Sequence, residues 1–212
     1  MSKRFVFWEV DVQKDFMLPG GKLYVPGAEK LIPNIRRLVQ AATAAKTLLI
    51  SSACAHSEND PEFQVFPAHC IKGTDGARLI PEGMASDFTL IPNNPSFPLP
   101  SNILNSPQIV VEKQVLDVFS NPHTSQLVER IGPNAQYVVF GVVTEFCVLC
   151  ASKGLLDRGR KVFVVRDAIE TLDAKKGRDT IESLRVAGAI LIDTNEALGL
   201  VLDDPRRAPR SA

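Results

Sequence analysis

Six short runs rich in apolar and β-branched residues recur along the chain, at residues 4–10, 47–52, 108–112, 137–143, 162–165 and 189–193. They are almost continuously hydrophobic rather than alternating with polar residues, which is the pattern of strands buried on both faces of a parallel sheet. The stretches between them carry helical spacing. Residues 28–45 place Leu31, Ile32, Ile35, Leu38 and Val39 on one stripe, 145–160 place Phe146, Val148, Leu149 and Leu155, and 179–187 place Ile181, Leu184 and Val186. Each stripe can cover a sheet face. The alternation predicts an α/β protein, a Rossmann-like three-layer sandwich with a mainly parallel sheet and helices on both sides.

Residues 53–107 break the rhythm. They hold eight of the fifteen prolines, two of the three histidines, two of the four cysteines and one weak strand candidate, Phe88 to Ile91. A segment of that length with little regular structure is expected to be functional, and its aromatic residues argue against disorder. One domain over residues 1–202 is expected, with the Pro- and Arg-containing residues 203–212 as a flexible tail.

Lys plus Arg equals Asp plus Glu, at 24 each. A net charge of zero removes the electrostatic footprint of a nucleic-acid or anionic-membrane binder, so neither partner is expected. Glu9 and Asp11 interrupt the first apolar run before it could act as a signal peptide or membrane span, so the chain is expected to be cytoplasmic. Four cysteines are too few for a disulfide scaffold, leaving core, ligand or nucleophile roles. No Gly-x-Gly-x-x-Gly follows the first strand and no phosphate loop occurs, which argues against an organic nucleotide cofactor.

Ligands of open parallel sheets bind beyond the carboxyl ends of the strands. Asp11 follows the first strand, Lys113 follows 108–112, and Cys147 stands four residues beyond Val143. An acid, a cation and a thiol together suit nucleophilic attack by sulfur, with Asp11 as proton acceptor and Lys113 lowering the thiol pKa. Thr144 is placed to cap the helix that carries Cys147. Taken singly, the three are more often a turn acid, a solvated strand-end charge and a buried core cysteine; their convergence at three strand ends favours the functional reading.

The segments Asp11-Val12-Gln13-Lys14-Asp15-Phe16, Val111-Glu112-Lys113 and Gly141-Val142-Val143-Thr144-Glu145-Phe146-Cys147-Val148 together resemble the signature of the isochorismatase-like cysteine hydrolases, a family that includes nicotinamidases and N-carbamoylsarcosine amidohydrolase. The resemblance spans about residues 5–198 and keeps the family's order and spacing. Residues 19–28 and 66–77 are most similar to the nicotinamidase branch. The chain departs from that branch at Phe66, where tryptophan is usual, and at Cys54-Ala55-His56, where the family's metal motif reads Asp-x-His.

The resemblance implies a six-stranded parallel sheet and a triad of Asp11, Lys113 and Cys147. It further implies an oxyanion hole from the N–H groups of Val143 and Cys147, with a cis peptide before Val143. The implied reaction is hydrolysis of a small amide through a thioester, on a nicotinamide-like planar substrate flanked by Phe16 and Phe66. Another isochorismatase-like or N-carbamoyl hydrolysis is the alternative, and a non-catalytic binding protein on the same fold is the remote one. Family members commonly form dimers or tetramers, so a homo-oligomer is expected. His56, His69, Cys54 and Glu62 are competent ligands for one divalent ion such as zinc, although hydrogen-bonded structural histidines satisfy the same residues. His123 is expected at the surface, and Cys70 and Cys150 in the core.

Overall fold

The computed structural model describes residues 4–202. The expected tail, 203–212, lies outside them. Seven strands form one parallel sheet: β1 (Arg4–Val10), β2 (Leu48–Cys54), β3 (Phe88–Ile91), β4 (Gln108–Lys113), β5 (Ala135–Gly141), β6 (Lys161–Ile169) and β7 (Ile190–Ile192), in the spatial order β3-β4-β2-β1-β5-β6-β7. All six strong candidates are strands. The seventh corrects the expected count: the weak run Phe88–Ile91 pairs in parallel with β4 at the sheet edge. Edge strands bury only part of their surface, which explains its faint signal; Phe88 and Leu90 remain 46% and 40% exposed.

The helices are α1 (Lys14–Met17, a single turn), α2 (Ile32–Ala44), α3 (Thr124–Ile131), α4 (Leu149–Asp157), α5 (Ala174–Val186) and α6 (Thr194–Leu202). Strand side chains alternate between two cores. Phe7, Leu49, Val138 and Phe140 meet Ile35, Leu38 and Val39 of α2 and Ala197 of α6 on one face. Trp8, Ile50, Ile109, Val111 and Val139 meet Leu127 and Val128 of α3, Leu155 of α4 and Leu184 of α5 on the other. Adjacent residues of one strand thus serve opposite layers, so both must be apolar and the run reads as continuous. Among the described residues no helix is long and apolar enough to cross a membrane.

Connections from β1 run outward to β2, whereas those from β5 run the other way to β6 and β7. A crevice opens beyond the carboxyl ends of two such strands. Gly141 makes their close approach possible: its φ is +118°, and a Cβ there would stand 2.1 Å from the Val10 carbonyl oxygen.

Candidate active site

Four strand ends meet at this crevice. The order β4-β2-β1-β5 sets Lys113, Cys54, Asp11 and the turn after β5 side by side. Lys113 and Cys54 are register partners on neighbouring strands. Asp11 leaves β1 in a left-handed conformation, φ 49°, which aspartate tolerates better than most residues, while its N–H donates to the Ser52 carbonyl. Lys113 Nζ then reaches three groups: Asp11 Oδ2 at 2.8 Å, Cys54 Sγ at 3.0 Å and Cys147 Sγ at 3.4 Å. Asp11, Lys113 and Cys147, expected together from sequence, are therefore together, and all are buried.

Cys147 arrives by a route unlike the one expected. The Val142–Val143 peptide is cis, as the family resemblance implied. Residues Thr144–Val148 form a π-helical turn before α4, in which the N–H groups of both Phe146 and Val148 donate to the Val143 carbonyl. Thr144 is not a cap: its hydroxyl donates to the Glu170 carbonyl across the molecule. Such π turns occur where a functional side chain is re-aimed within a helix.

The electrostatics follow from burying an ammonium, a carboxyl and two thiols together. Burial raises the Asp11 carboxyl to about 7, with Cys54 pushing the same way and Lys113 opposing. Burial pulls the Lys113 ammonium down, but Asp11, Cys147 and Cys54 outweigh it and hold it well above the ordinary lysine range. The strongest influence on each thiol is the other. Their hydrogen-bonding interaction holds Cys54 well below the usual thiol range and pushes Cys147 well above it, with burial adding to the rise. The two buried thiols thus compete for the one ammonium of Lys113. Asp11 Oδ1 is buried without a hydrogen-bond partner of good geometry, while Cys54 Sγ lies 3.7 Å from Oδ2 of the same carboxyl.

A second cluster adjoins the first. Ligand atoms of Cys54, His56 and His69 lie within 4.8 Å of one another. The His69 Nδ1–H donates to the Pro67 carbonyl at 2.7 Å, so Nε2 carries the lone pair. Glu62 Oε1 stands 4.0 Å from His56 Nε2 and 3.9 Å from His69 Nε2. His56 is fully buried, yet neither ring nitrogen makes a hydrogen bond of good geometry, although Asp60 Oδ2 lies 3.1 Å from Nδ1. Orphaned buried imidazole nitrogens facing a thiol, a second imidazole and a carboxylate are the donor set of a tetrahedral zinc site. Cys54, His56 and His69, with Glu62 as a fourth donor, fit a divalent ion.

The aromatic residues divide. Phe16 is buried, its ring 5.2 Å from that of His69. Phe66 is half-buried with its ring 5.9 Å from Phe146. Phe63, which sequence reading missed, packs 5.3 Å from His56 and 5.8 Å from His69. Two polar residues of the first motif also escaped notice as positioning groups. The Gln13 side chain accepts from Cys54 N–H and donates to the Cys54 and Ala77 carbonyls, and the Asp15 carboxylate accepts from Cys70 and Lys22 N–H groups. Both pin the excursion to the end of β1. Their signal was the alternation of Asp11, Gln13 and Asp15 directly after an apolar strand.

Two minor expectations are corrected. His123 is buried, not at the surface, with Nε2 2.8 Å from the Asn94 carbonyl and Phe97 against its ring. Cys70 is in the core as expected, but Cys150 is only half-buried on α4. A groove of about 630 Å³ lined by Lys14, Arg78, Met84, Phe88, Leu90 and other residues includes Cys54 in its wall, but not Asp11, Lys113 or Cys147. It flanks the reactive cluster without containing it.

A sheet of this topology with an Asp, a Lys and a Cys at its switch point defines a recognisable class. The isochorismatase domain matches residues 7–91 and 99–196, and the chain belongs to the isochorismatase family. Among relatives, it is 29% identical to the nicotinamidase of Acinetobacter baylyi over 196 residues, 77% of this chain and 80% of that one. It is also 30% identical to a "probable inactive nicotinamidase" of Arabidopsis thaliana over 80 residues, 34% of this chain and 41% of that one. Among solved structures, the pyrazinamidase of Pyrococcus horikoshii in complex with zinc superposes with a TM-score of 0.72 at 21% identity, over 90% of this chain and 99% of that one.

Proposed function

We propose that the protein is a cysteine amidohydrolase that cleaves the C–N bond of a small planar amide, nicotinamide-like in shape, through a thioester. The observation that carries this reading is the contact of one buried lysine with the Asp11 carboxylate and the Cys147 sulfur at the sheet's switch point. Cys147 Sγ attacks the amide carbonyl as Asp11 takes the thiol proton. The tetrahedral oxyanion accepts hydrogen bonds from the Val143 and Cys147 N–H groups. Collapse breaks the C–N bond, and Asp11 hands its proton to the departing ammonia or amine. Asp11 then deprotonates a water that attacks the thioester, and the carboxylic acid leaves with Cys147 regenerated. Lys113 steadies the negative charge that moves between carboxylate and sulfur.

In this reading Phe16 and Phe66 flank the substrate; Phe16 and Phe63 pack against His69 and Phe66 against Phe146, aromatic surface that suits a flat ring. A zinc or similar ion held by Cys54, His56, His69 and Glu62 would supply a Lewis-acidic position for a substrate lone pair. Ammonia release from a panel of small amides, nicotinamide and carbamoyl compounds included, tests the reading with Cys147→Ala as control. Turnover that vanishes in the variant supports it. Tight binding of nicotinamide without any turnover favours a binding protein on the same fold.

A further inference from the structure

Beyond its place as a candidate metal donor, Cys54 takes no part in the covalent steps of the proposed reaction, yet it stands at their centre. It occupies the strand end between those of Asp11 and Lys113, and its sulfur shares Lys113 Nζ with Cys147, at 3.0 Å and 3.4 Å respectively. No disulfide joins them. Two sulfurs within 3.4 Å of one ammonium, each acting directly on the other's thiol, are neighbours, and a disulfide of about 2.0 Å requires them to approach one another. The two sides differ in how readily they move. Cys54 is clamped by β-pairing and by Gln13 on both its N–H and its carbonyl, whereas Cys147 rides on a five-residue π turn.

We propose that Cys54 and Cys147 form an oxidisable pair, in which a peroxide reversibly links the two sulfurs and Cys54 thereby protects the nucleophile from irreversible oxidation. This rests on the proposed function in one respect: a sulfur that small substrates reach and that attacks a carbonyl is also reached by, and attacks, hydrogen peroxide. Cys147 sulfur displaces one oxygen of the peroxide, so that the O–O bond breaks, Cys147 becomes a sulfenic acid and water leaves with the thiol proton. Cys54 sulfur then attacks the sulfenic sulfur. The S–S bond forms as the S–OH bond breaks, and the hydroxide leaves as water with the Cys54 proton. Two thiols have lost two electrons, and one peroxide has become two waters.

The other cysteines are poorer partners. Cys70 is buried in the core on one face of the sheet, whereas Cys147 belongs to the core on the other. Cys150 lies half-buried on α4, beyond the turn. Linkage is therefore specific, and it removes the nucleophile and one candidate metal donor in a single event.

The test is to treat purified protein with graded hydrogen peroxide, block free thiols with iodoacetamide without reductant, and map the peptides by mass. Expected is a linked pair of peptides containing Cys54 and Cys147, lighter by two hydrogens, with amidase activity lost in proportion and recovered by dithiothreitol. In Cys54→Ser, the same dose should carry Cys147 on to the sulfinic acid, a gain of two oxygens that dithiothreitol does not reverse. Wild-type protein in which Cys147 gains two oxygens while Cys54 stays alkylatable overturns the proposal, as does linkage of Cys54 to Cys70. The mass map of the wild type decides the matter even if Cys54→Ser fails to fold. It also decides it if no amide is turned over, so failure of the proposed function is read separately from failure of the pair.

Discussion

The two halves of the reactive cluster are built differently. Asp11, Lys113 and Cys54 sit at strand ends whose backbones are locked in the sheet, and their contacts are short, 2.8 and 3.0 Å from one ammonium. The histidine group hangs from the excursion between β2 and β3, and toward its centre its contacts are wide: Glu62 stands 3.9 and 4.0 Å from the Nε2 atoms of the two imidazoles, while each Nδ1 faces outward to Asp60 or the Pro67 carbonyl. The strand-end group already satisfies its own charges. The loop-borne group is a set of donors converging on one another without satisfying one another, the arrangement a cation would complete. What is preorganised by the sheet suits chemistry, and what is gathered by a loop suits a ligand.

The largest expected effect would break the strand-end half. Cys147→Ala, Asp11→Asn and Lys113→Met should each lower amide hydrolysis by roughly a thousandfold or more, because each removes a member of one unit. The double variant Asp11→Asn with Lys113→Met should be scarcely slower than the poorer single one in steady-state kinetics. Multiplying defects would show two independent groups rather than one.

A second carboxyl on β1 sharpens the contrast within the same strand. Glu9 is fully buried on the face opposite Trp8; Ser51 Oγ donates to its Oε2, while Oε1 is unpaired. Burial raises it to about 8, with the Ser51 hydrogen bond opposing. The folded protein thus holds a proton there that the unfolded chain releases near the ordinary glutamate value of 4.5. Stability from this group is fully present below that value and is lost as pH rises toward 8, by as much as roughly 4–5 kcal/mol by linkage. Glu9→Gln should flatten that decline in denaturation midpoints measured from pH 5 to 9. Parallel curves for variant and wild type would mean that Glu9 is already ionised in the folded protein.

For the loop-borne half, His56→Ala and His69→Ala should each weaken zinc retention by about 10- to 100-fold, measured by elemental analysis after dialysis against a graded chelator. Stoichiometry that survives both substitutions places the metal elsewhere. The smallest expected effect concerns the joint between the halves. Gln13→Leu removes the clamp on Cys54 and strands a buried N–H, which should cost about 1–3 kcal/mol in chemical denaturation. A loss within error would show that β-pairing alone holds the end of β2.

Much of this architecture was legible in the chain. The alternation of apolar runs and helical stripes reports local burial, and both periods are properties of neighbouring residues, so the strands and helices were readable to within a few positions. Helix starts were less so: residues 145–160 looked like one helix because a π turn and an α-helix carry nearly the same stripe, and α5 begins at Ala174, earlier than its apolar residues suggest. His123 looked superficial because its neighbours Pro122 and Thr124 are turn formers. Its burial depends on the Asn94 and Phe97 loop, about thirty residues away.

By itself, then, the sequence determined the layered α/β plan and singled out the candidate acid, cation and nucleophile and the two histidines, because each is marked by local pattern or motif spacing. The tertiary structure decided their neighbours. Strand order is set by crossovers that no local period encodes, and it is the insertion of β2 between β4 and β1 that brings Cys54 onto Lys113 beside Cys147. The surroundings of each sulfur followed from that placement, since a buried thiol responds to the groups within a few ångströms of it and not to its position in the chain.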